Sequence, residues 1–404
     1  MTKHYLIAQS GGPTAAINAS LVGIIKGIKE NIKDYKIIGA IHGIQGVLRS
    51  EYTDLTLLTN TALEKISITP AMILGSCRFK LPDYNVDSTN YSTIFKELSK
   101  NNIDTFFYIG GNDSMDTVDK LSKYAQSINS PIKIVGVPKT IDNDLLFTDH
   151  TPGFGSAAKY IANTIQEIYY DTYIYDLKSV TIVEIMGRDA GWLTAASVLA
   201  RKPKIPAPHL IYLPEIPFDE EKFILDIQEQ IKKYDNIVVA VSEGIRDKSG
   251  NLYCSTNAYN DKFGHAQLGG VGKKLEYLVK ATLGIKVRSI ELNILQRCAG
   301  HIAAYTDLKE AIDLGRNAVI HSNEGNTGFM PIIVRHHSDE YLYTIKFVDV
   351  KDVANKIKSV PIDWISSDKN DVTGEMVNYL LPLVDGEIIL QYSNGIAEYY
   401  QPLF

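Results

Sequence analysis

The sequence predicts an α/β protein of two doubly wound units with parallel-rich sheets. Three observations predict it. Over the first 300 residues, short apolar, β-branched runs alternate with helical patterns, which is the rhythm of parallel strands joined by crossover helices. The chain has 404 residues and 45% apolar content, enough for a large core and too long for one ordinary domain. The apolar runs end in glycine or small polar residues just before a helical pattern begins, the place where open α/β sheets bind ligands.

Tyr5–Ala8 reads as the first strand, and Thr14–Lys29 as the helix after it. Ile37–Ile41 is a second strand; Tyr91–Lys100 is a helix leading to the strand Thr105–Ile109 and the helix Ser114–Ser127. Ile134–Val137 is a short buried strand. Asp149–Phe154, with Pro152 and Gly153, reads as the crossing into a second α/β unit. There, the helices Gly155–Tyr170, Gly191–Ala200 and Asp219–Tyr234 alternate with strands Val180–Ile185, Leu210–Leu213 and Ile237–Val241. Beyond about residue 310 the rhythm changes: a helix near Asp307–Val319 precedes a strand at Met330–Val334. This third portion is expected to complete the first unit in part.

Bulk properties exclude several function classes. Net charge is −6, from 41 basic and 47 acidic residues, with no basic run or aromatic-basic stripe, so neither nucleic acid nor an anionic membrane is an expected partner. Cys77, Cys254 and Cys298 are far apart and form no C-x-x-C pair. They argue against a disulfide framework and a structural zinc site, and fit a reducing cytoplasm. Met1 leads directly into the first strand without a signal-peptide pattern, and no apolar run reaches transmembrane length.

The chemistry gathers behind the strands. Strand one ends in Gln9-Ser10-Gly11-Gly12-Pro13-Thr14, and another in Gly110-Gly111-Asn112-Asp113-Ser114. Glycines at a helix start let backbone N–H groups approach an anion at the positive end of the dipole; each could equally be a plain turn, and Ser114 or Asp113 a plain N-cap. A third strand runs into Pro138-Lys139-Thr140-Ile141-Asp142-Asn143-Asp144. Two carboxylates on alternate positions can divide the work, one as a base and one as an orienter or metal partner. In the second half, Met186-Gly187-Arg188 and Ser242-Glu243-Gly244 end strands, and Arg288 and Arg297 flank another run. Arginine forks grip phosphate, and a carboxylate accepts from sugar hydroxyls. The combination predicts phosphoryl transfer to a phosphorylated, polyhydroxy acceptor in a cleft between the two halves. Gly269-Gly270-Val271-Gly272-Lys273-Lys274 imitates a Walker loop, but its spacing is wrong and it reads as a helix start.

In these segments, and in Gly75-Ser76-Cys77-Arg78 and Gln296-Arg297, the chain resembles the phosphofructokinase family over about its first 300 residues. The resemblance implies two Rossmann-like domains, one of about 1–150 for the phosphoryl donor, completed by part of 307–404, and one of 151–306 for the sugar phosphate. It implies donor contacts from Gly11, Gly12, Gly111 and Ser114. Asp142 would be the base for the sugar 1-hydroxyl, with Thr140 and Asp144 beside it and Arg78 on the transferring group. Met186, Gly187, Arg188, Glu243, Arg288, Ile294 and Arg297 would contact fructose 6-phosphate. It further implies Mg²⁺ as cofactor and a homo-oligomer, a dimer or tetramer.

Two positions bear on the donor. ATP-using members resemble Gly-Gly-Asp-Gly-Ser and Pro-Gly-Thr-Ile-Asp-Asn-Asp, whereas this chain has Asp113 and Lys139 where those have glycine, as in the pyrophosphate-using branch. Physically, an Asp side chain fills the space of a nucleotide α-phosphate with like charge. Two such charges about 4 Å apart repel by roughly 1–4 kcal/mol, depending on the local dielectric. Lys139 offers pyrophosphate a cation. The expected reaction is therefore reversible transfer from pyrophosphate to fructose 6-phosphate.

The chain departs from the family pattern at three places. Asn112 replaces an Asp associated with magnesium, so either its carbonyl or a water contacts the metal, or the phosphates hold it. Ile294 replaces a polar or aromatic substrate contact. Ser179 replaces an arginine that reaches a neighbouring subunit in ATP-using relatives, with Lys178 adjacent. Three alternatives stay open on the sequence: an ATP-dependent kinase, a non-catalytic regulatory subunit that binds sugar phosphate, and a second acceptor such as sedoheptulose 7-phosphate.

Overall fold

The computed structural model describes residues 2–260, 266–338 and 340–404. In chain order, the strands are β1 (Lys3–Gln9), β2 (Tyr35–Ala40), β3 (Tyr52–Asp54), β4 (Ile103–Gly110), β5 (Lys133–Pro138), β6 (Ser179–Ile185), β7 (Leu210–Tyr212), β8 (Asn236–Ser242), β9 (Ser255–Asn260), β10 (Ala266–Leu268), β11 (Lys286–Glu291), β12 (Phe329–Arg335), β13 (Tyr343–Asp349), β14 (Tyr392–Ser393) and β15 (Ile396–Ala397). The helices used below are α1 (Ile17–Asn31), α2 (Gly43–Arg49), α3 (Asn60–Ser67), α4 (Thr89–Lys100), α5 (Asn112–Ser127), α6 (Phe154–Thr172), α7 (Trp192–Ala196), α8 (Glu220–Ile231), α9 (Val271–Leu283), α10 (Tyr305–Asn323) and α11 (Val350–Val353). The chain divides into two compact units, one of residues 1–156, 297–356 and 386–404, the other of 157–296 and 357–385.

The first unit is built on a seven-stranded sheet in the order β13-β12-β5-β4-β1-β2-β3. Its inner strands are parallel, and β3 and β13 close the edges antiparallel. Strand order reverses between β1 and β4, so the carboxyl ends of these neighbours open at a topological switch point, the usual ligand crevice of such sheets. Alternation along the strands supplies two cores, one on each face. Leu6, Ala8, Phe106 and Tyr108 enter one, while Tyr5, Ile7, Phe107 and Ile109 enter the other. Helix α10 is drawn onto α1 by a small apolar seam of Ala15, Ala16, Ala19, Leu308 and Ala311. That seam explains why the late segment completes this unit.

The second unit carries a four-stranded all-parallel sheet, β11-β6-β8-β7. Its core gathers Val180, Ile182, Val239, Val241, Phe223, Ile227, Leu275 and Val279 from sheet and helices. Segment 357–385 belongs to this unit, a contribution the sequence did not predict. Trp192, Trp364 and Tyr379 form an aromatic cluster there, and the Trp192 indole donates to Lys358 O at 2.8 Å.

Several elements differ from the sequence expectation. The helix expected at Gly191–Ala200 is a five-residue α7 followed by a 3-10 turn. Lys286–Glu291, which overlaps the start of the run flanked by Arg288 and Arg297 and is not among the expected strands, is the edge strand β11. The Gly269–Lys274 segment is the start of α9, as its spacing implied.

Candidate active site

In the first unit, three strand ends converge. Ser10 N donates to Ile109 O (2.9 Å) and Lys139 N to Gly110 O (2.9 Å), which pins the loops after β1, β4 and β5 to one another. The Ser10 and Ser114 hydroxyls lie 2.5 Å apart, so buried Ser114 serves the junction between the first two loops. Ser76 donates to Gly11 O at 2.8 Å, which brings the Gly75–Arg78 loop to the same place and leaves Arg78 exposed beside it. A Cβ on Gly12 would stand 3.3 Å from Arg297 Nη1. Arg297, expected from the sequence at the sugar phosphate, thus lies against Gly12 in this unit.

Lys139 is the central cation. It is 1% exposed, and its Nζ donates to Gly12 O at 2.6 Å. Burial pulls its pKa down to about 8; Asp142, Cys298 and Asp144 favour the charged form and Arg297 opposes it. The ammonium is therefore mostly protonated at neutral pH and close to losing its proton above it. With the free lysine near 10.5, its charge costs native stability in full below pH 8, and the cost is relieved as pH rises from 8 to 10.5. Next to it, Asp142 N donates to Thr140 Oγ1 (3.1 Å), and that hydroxyl donates to Asp142 Oδ2 (3.3 Å). This local turn fixes the carboxylate. Both Asp142 and Asp144 are half-buried.

Helix α5 opens on the second glycine loop. Gly111 faces Thr140, whose Cβ would lie 3.4 Å from an added methyl. Asp113 is exposed in the first turn of α5, where its charge meets the positive end of the helix. Asn112 has another task. Its amide donates to Lys356 O (2.5 Å) and its carbonyl accepts from Asn355 N (2.7 Å), tying α5 to the residues after α11.

The second unit assembles another set. Gly187 N donates to Glu243 Oε1 (3.2 Å), and Ser242 Oγ donates to Gly187 O (2.6 Å). The loops after the adjacent strands β6 and β8 are therefore locked together, with Arg188 and Glu243 on them. Met186 N donates to Gln296 Oε1 at 3.4 Å; Gln296 is buried, and its place beside Arg297 in the motif was the only hint of this. Glu215 accepts from Gly191 N (2.8 Å) and Val360 N (2.9 Å), fastening segment 357–385 behind the Arg188 loop. Buried Glu184, pushed up to about 7 by burial, accepts from Gly272 N at 2.7 Å. The start of α9 is therefore served by an internal carboxylate.

Two residues stand apart from this set. Arg288 lies on β11 and pairs with Asp171 at 3.0 Å, lining a shallow cavity with Thr164, Glu167 and Thr181. Ile294 is 62% exposed on a 3-10 turn.

The donor-type and acceptor-type sets mark a sugar-phosphate phosphotransferase. The phosphofructokinase family model matches residues 4–321, and the chain belongs to that family. It is 39% identical to the pyrophosphate--fructose 6-phosphate 1-phosphotransferase of Xanthomonas campestris pv. campestris, covering 98% of this chain and 94% of that one. It is 38% identical to the protein of the same name from Halomonas elongata, over 97% and 94% of the two chains. The solved pyrophosphate-dependent phosphofructokinase of Nitrosospira multiformis superposes with a TM-score of 0.90 at 35% identity, covering 99% of this chain and 96% of that chain.

Proposed function

We propose that this phosphofructokinase moves a phosphoryl group reversibly from inorganic pyrophosphate to the 1-hydroxyl of fructose 6-phosphate, giving fructose 1,6-bisphosphate and phosphate. The observation that carries this reading is the buried Lys139 ammonium held at the Gly12 turn, with Asp113 in the first turn of the neighbouring helix. A fixed cation suits a compact, highly charged donor and its leaving phosphate. The Asp113 carboxylate repels the further phosphate of a nucleotide.

In the forward reaction the Asp142 carboxylate accepts the proton of the sugar hydroxyl as that oxygen attacks the terminal phosphorus. The bridging P–O bond breaks, and its electron pair leaves with phosphate. Lys139, Arg78 and the amides of Gly11 and Gly12 balance the charge on the group in flight. Arg188 suits the 6-phosphate and Glu243 the sugar hydroxyls.

Magnesium fits as a phosphate-borne ion. The Asn112 amide is already engaged, and no group of three or more His, Cys, Asp or Glu among the described residues could hold a metal by itself. Asp142 and Asp144, near Lys139, are the carboxylates that would orient its water shell, and the ion would neutralise diphosphate charge. We place the enzyme in the cytoplasm as a homo-oligomer. No helix among the described residues is long and apolar enough to cross a membrane, and Tyr170, Tyr173, Ile174 and Tyr175 are exposed apolar groups a second copy could cover.

The experiment is ³¹P NMR of the purified chain with fructose 6-phosphate, pyrophosphate and Mg²⁺. Paired growth of a sugar 1-phosphate signal and free phosphate is expected, and adding phosphate to fructose 1,6-bisphosphate should regenerate pyrophosphate. Phosphate release without a new sugar phosphate would contradict the reading.

Two kinetic outcomes are expected as well. The value of kcat/KM for pyrophosphate should fall as pH rises through about 8, when Lys139 loses its proton; a profile flat to pH 9.5 or so would remove the lysine from donor binding. Gly244→Ala would place a methyl 2.0 Å from Arg188 O, so the Arg188 loop must move. KM for fructose 6-phosphate should rise by about tenfold or more, with KM for pyrophosphate nearly unchanged.

A further inference from the structure

We propose that the buried His150–Glu310 pair is a positioning brace for the Asp142 loop, through which α10 holds the base in register. The inference rests on Asp142 acting as the base. His150 is 1% exposed and Glu310 1% exposed, and neither takes part in the chemistry described above. His150 Nε2 lies 2.6 Å from Glu310 Oε2, and Nδ1 lies 2.8 Å from Asp149 Oδ1. The outer oxygen of Glu310 accepts from the Tyr341 hydroxyl, and Arg335 pairs with Asp149 at 3.0 Å. One turn earlier on α10, buried Asp307 accepts from Gly153 N (2.8 Å), Ser156 N (3.0 Å) and Ser156 Oγ (2.5 Å). Two carboxylates on one helix face therefore grip the returning chain at 150 and again at 153–156.

That chain is what holds the base. Thr151 Oγ1 donates to Thr140 O (2.8 Å), and Thr140 N donates to Pro152 O (3.1 Å). Thr140 in turn fixes Asp142. The far side is anchored as well, since Asp149 N donates to Ile333 O (2.9 Å) and Ile333 N to Thr148 Oγ1 (3.1 Å). The chain from Asp142 to Gly153 thus returns on itself into the first turn of α6, fastened at its base by α10 and β12.

Burial works against charge on His150, but Glu310 and Asp149 outweigh it and push its pKa up to about 9. Both ring nitrogens can then donate, as two carboxylate partners require. The titratable groups around it are Asp149, Glu310, Arg335, the neutral Tyr341 hydroxyl and, one turn along α10, Asp307. A histidine raised above its free value of 6.5 stabilises the fold fully below that pH, and the contribution is lost as pH rises through about 9.

The test uses His150→Gln, Glu310→Gln and the milder Tyr341→Phe in the full chain. Leu275→Ala, in the core of the second unit, is the control for lost stability. Amide hydrogen exchange across 139–147 should accelerate by about tenfold in the glutamine variants, and modestly in Tyr341→Phe. Turnover should fall by about ten- to a hundredfold with both KM values within about twofold. The fall in stability between pH 6.5 and 9 or so should be absent in His150→Gln. Leu275→Ala should lower the melting temperature yet keep turnover and loop exchange. If the glutamine variants do not fold, Tyr341→Phe decides the matter by loop exchange and kcat.

Unchanged exchange across 139–147, or turnover that tracks melting temperature as in the control, would overturn the brace. Normal turnover in Asp142→Asn would instead overturn the base assignment, and the exchange result would stand on its own.

Discussion

Asp142→Asn is expected to lower turnover by roughly 10²–10⁴-fold, while KM for pyrophosphate and fructose 6-phosphate stays near that of the unaltered enzyme. The substitution keeps shape and removes only the capacity to accept a proton. Thr140 Oγ1 still receives the backbone N–H of residue 142, so the local turn survives. The effect should therefore fall on kcat, the signature of an interaction made in the transition state. Lys139 loses a neighbour that favours its charged form, so the alkaline limb of the pH profile should move to lower pH in this variant. Both are read from initial velocities across pH 6–10 or so. Turnover near normal would remove Asp142 from the chemistry.

Lys139→Met should cost about 10²–10³-fold in kcat/KM for pyrophosphate, with little loss of stability. Methionine fills a similar volume in the same buried site. The native lysine is held charged against burial, which costs stability at neutral pH; methionine removes that cost and loses one hydrogen bond to Gly12 O, a term of about 1 kcal/mol. A large kinetic loss beside an almost unchanged melting temperature separates a catalytic cation from a structural one. A drop in melting temperature matching the loss of activity would assign Lys139 to the scaffold.

The loops behind β1, β4, β5, β6 and β8 were legible in the sequence because parallel strands are buried on both faces. Such strands read as short continuous apolar runs, and the residues just beyond their carboxyl ends must turn. Runs such as Thr105–Ile109 and Ile237–Val241 therefore located their loops well. Harder to see were residues whose partners lie far along the chain. Arg297 ends a substrate-like motif, yet it folds against Gly12, 285 positions earlier, a proximity that sequence order does not show. Asn112 sits where a metal contact was a candidate, but its amide is taken by the backbone at 355 and 356. Asp307, Glu310 and His150 carry no motif, and lie in helix and loop positions that read as solvated charge. They are buried against one another and against Gly153, Ser156 and Tyr341, partners far apart in the chain. Segment 357–385 was illegible for the same reason, since its partners Glu215 and Trp192 are more than 140 positions away.

The most direct test of the donor assignment compares pyrophosphate with ATP as donor for fructose 6-phosphate, in the unaltered chain and in Asp113→Gly. The expected result is turnover with pyrophosphate, little with ATP, and a gain in ATP use when the Asp113 carboxylate is removed. Efficient turnover with ATP in the unaltered chain would contradict it.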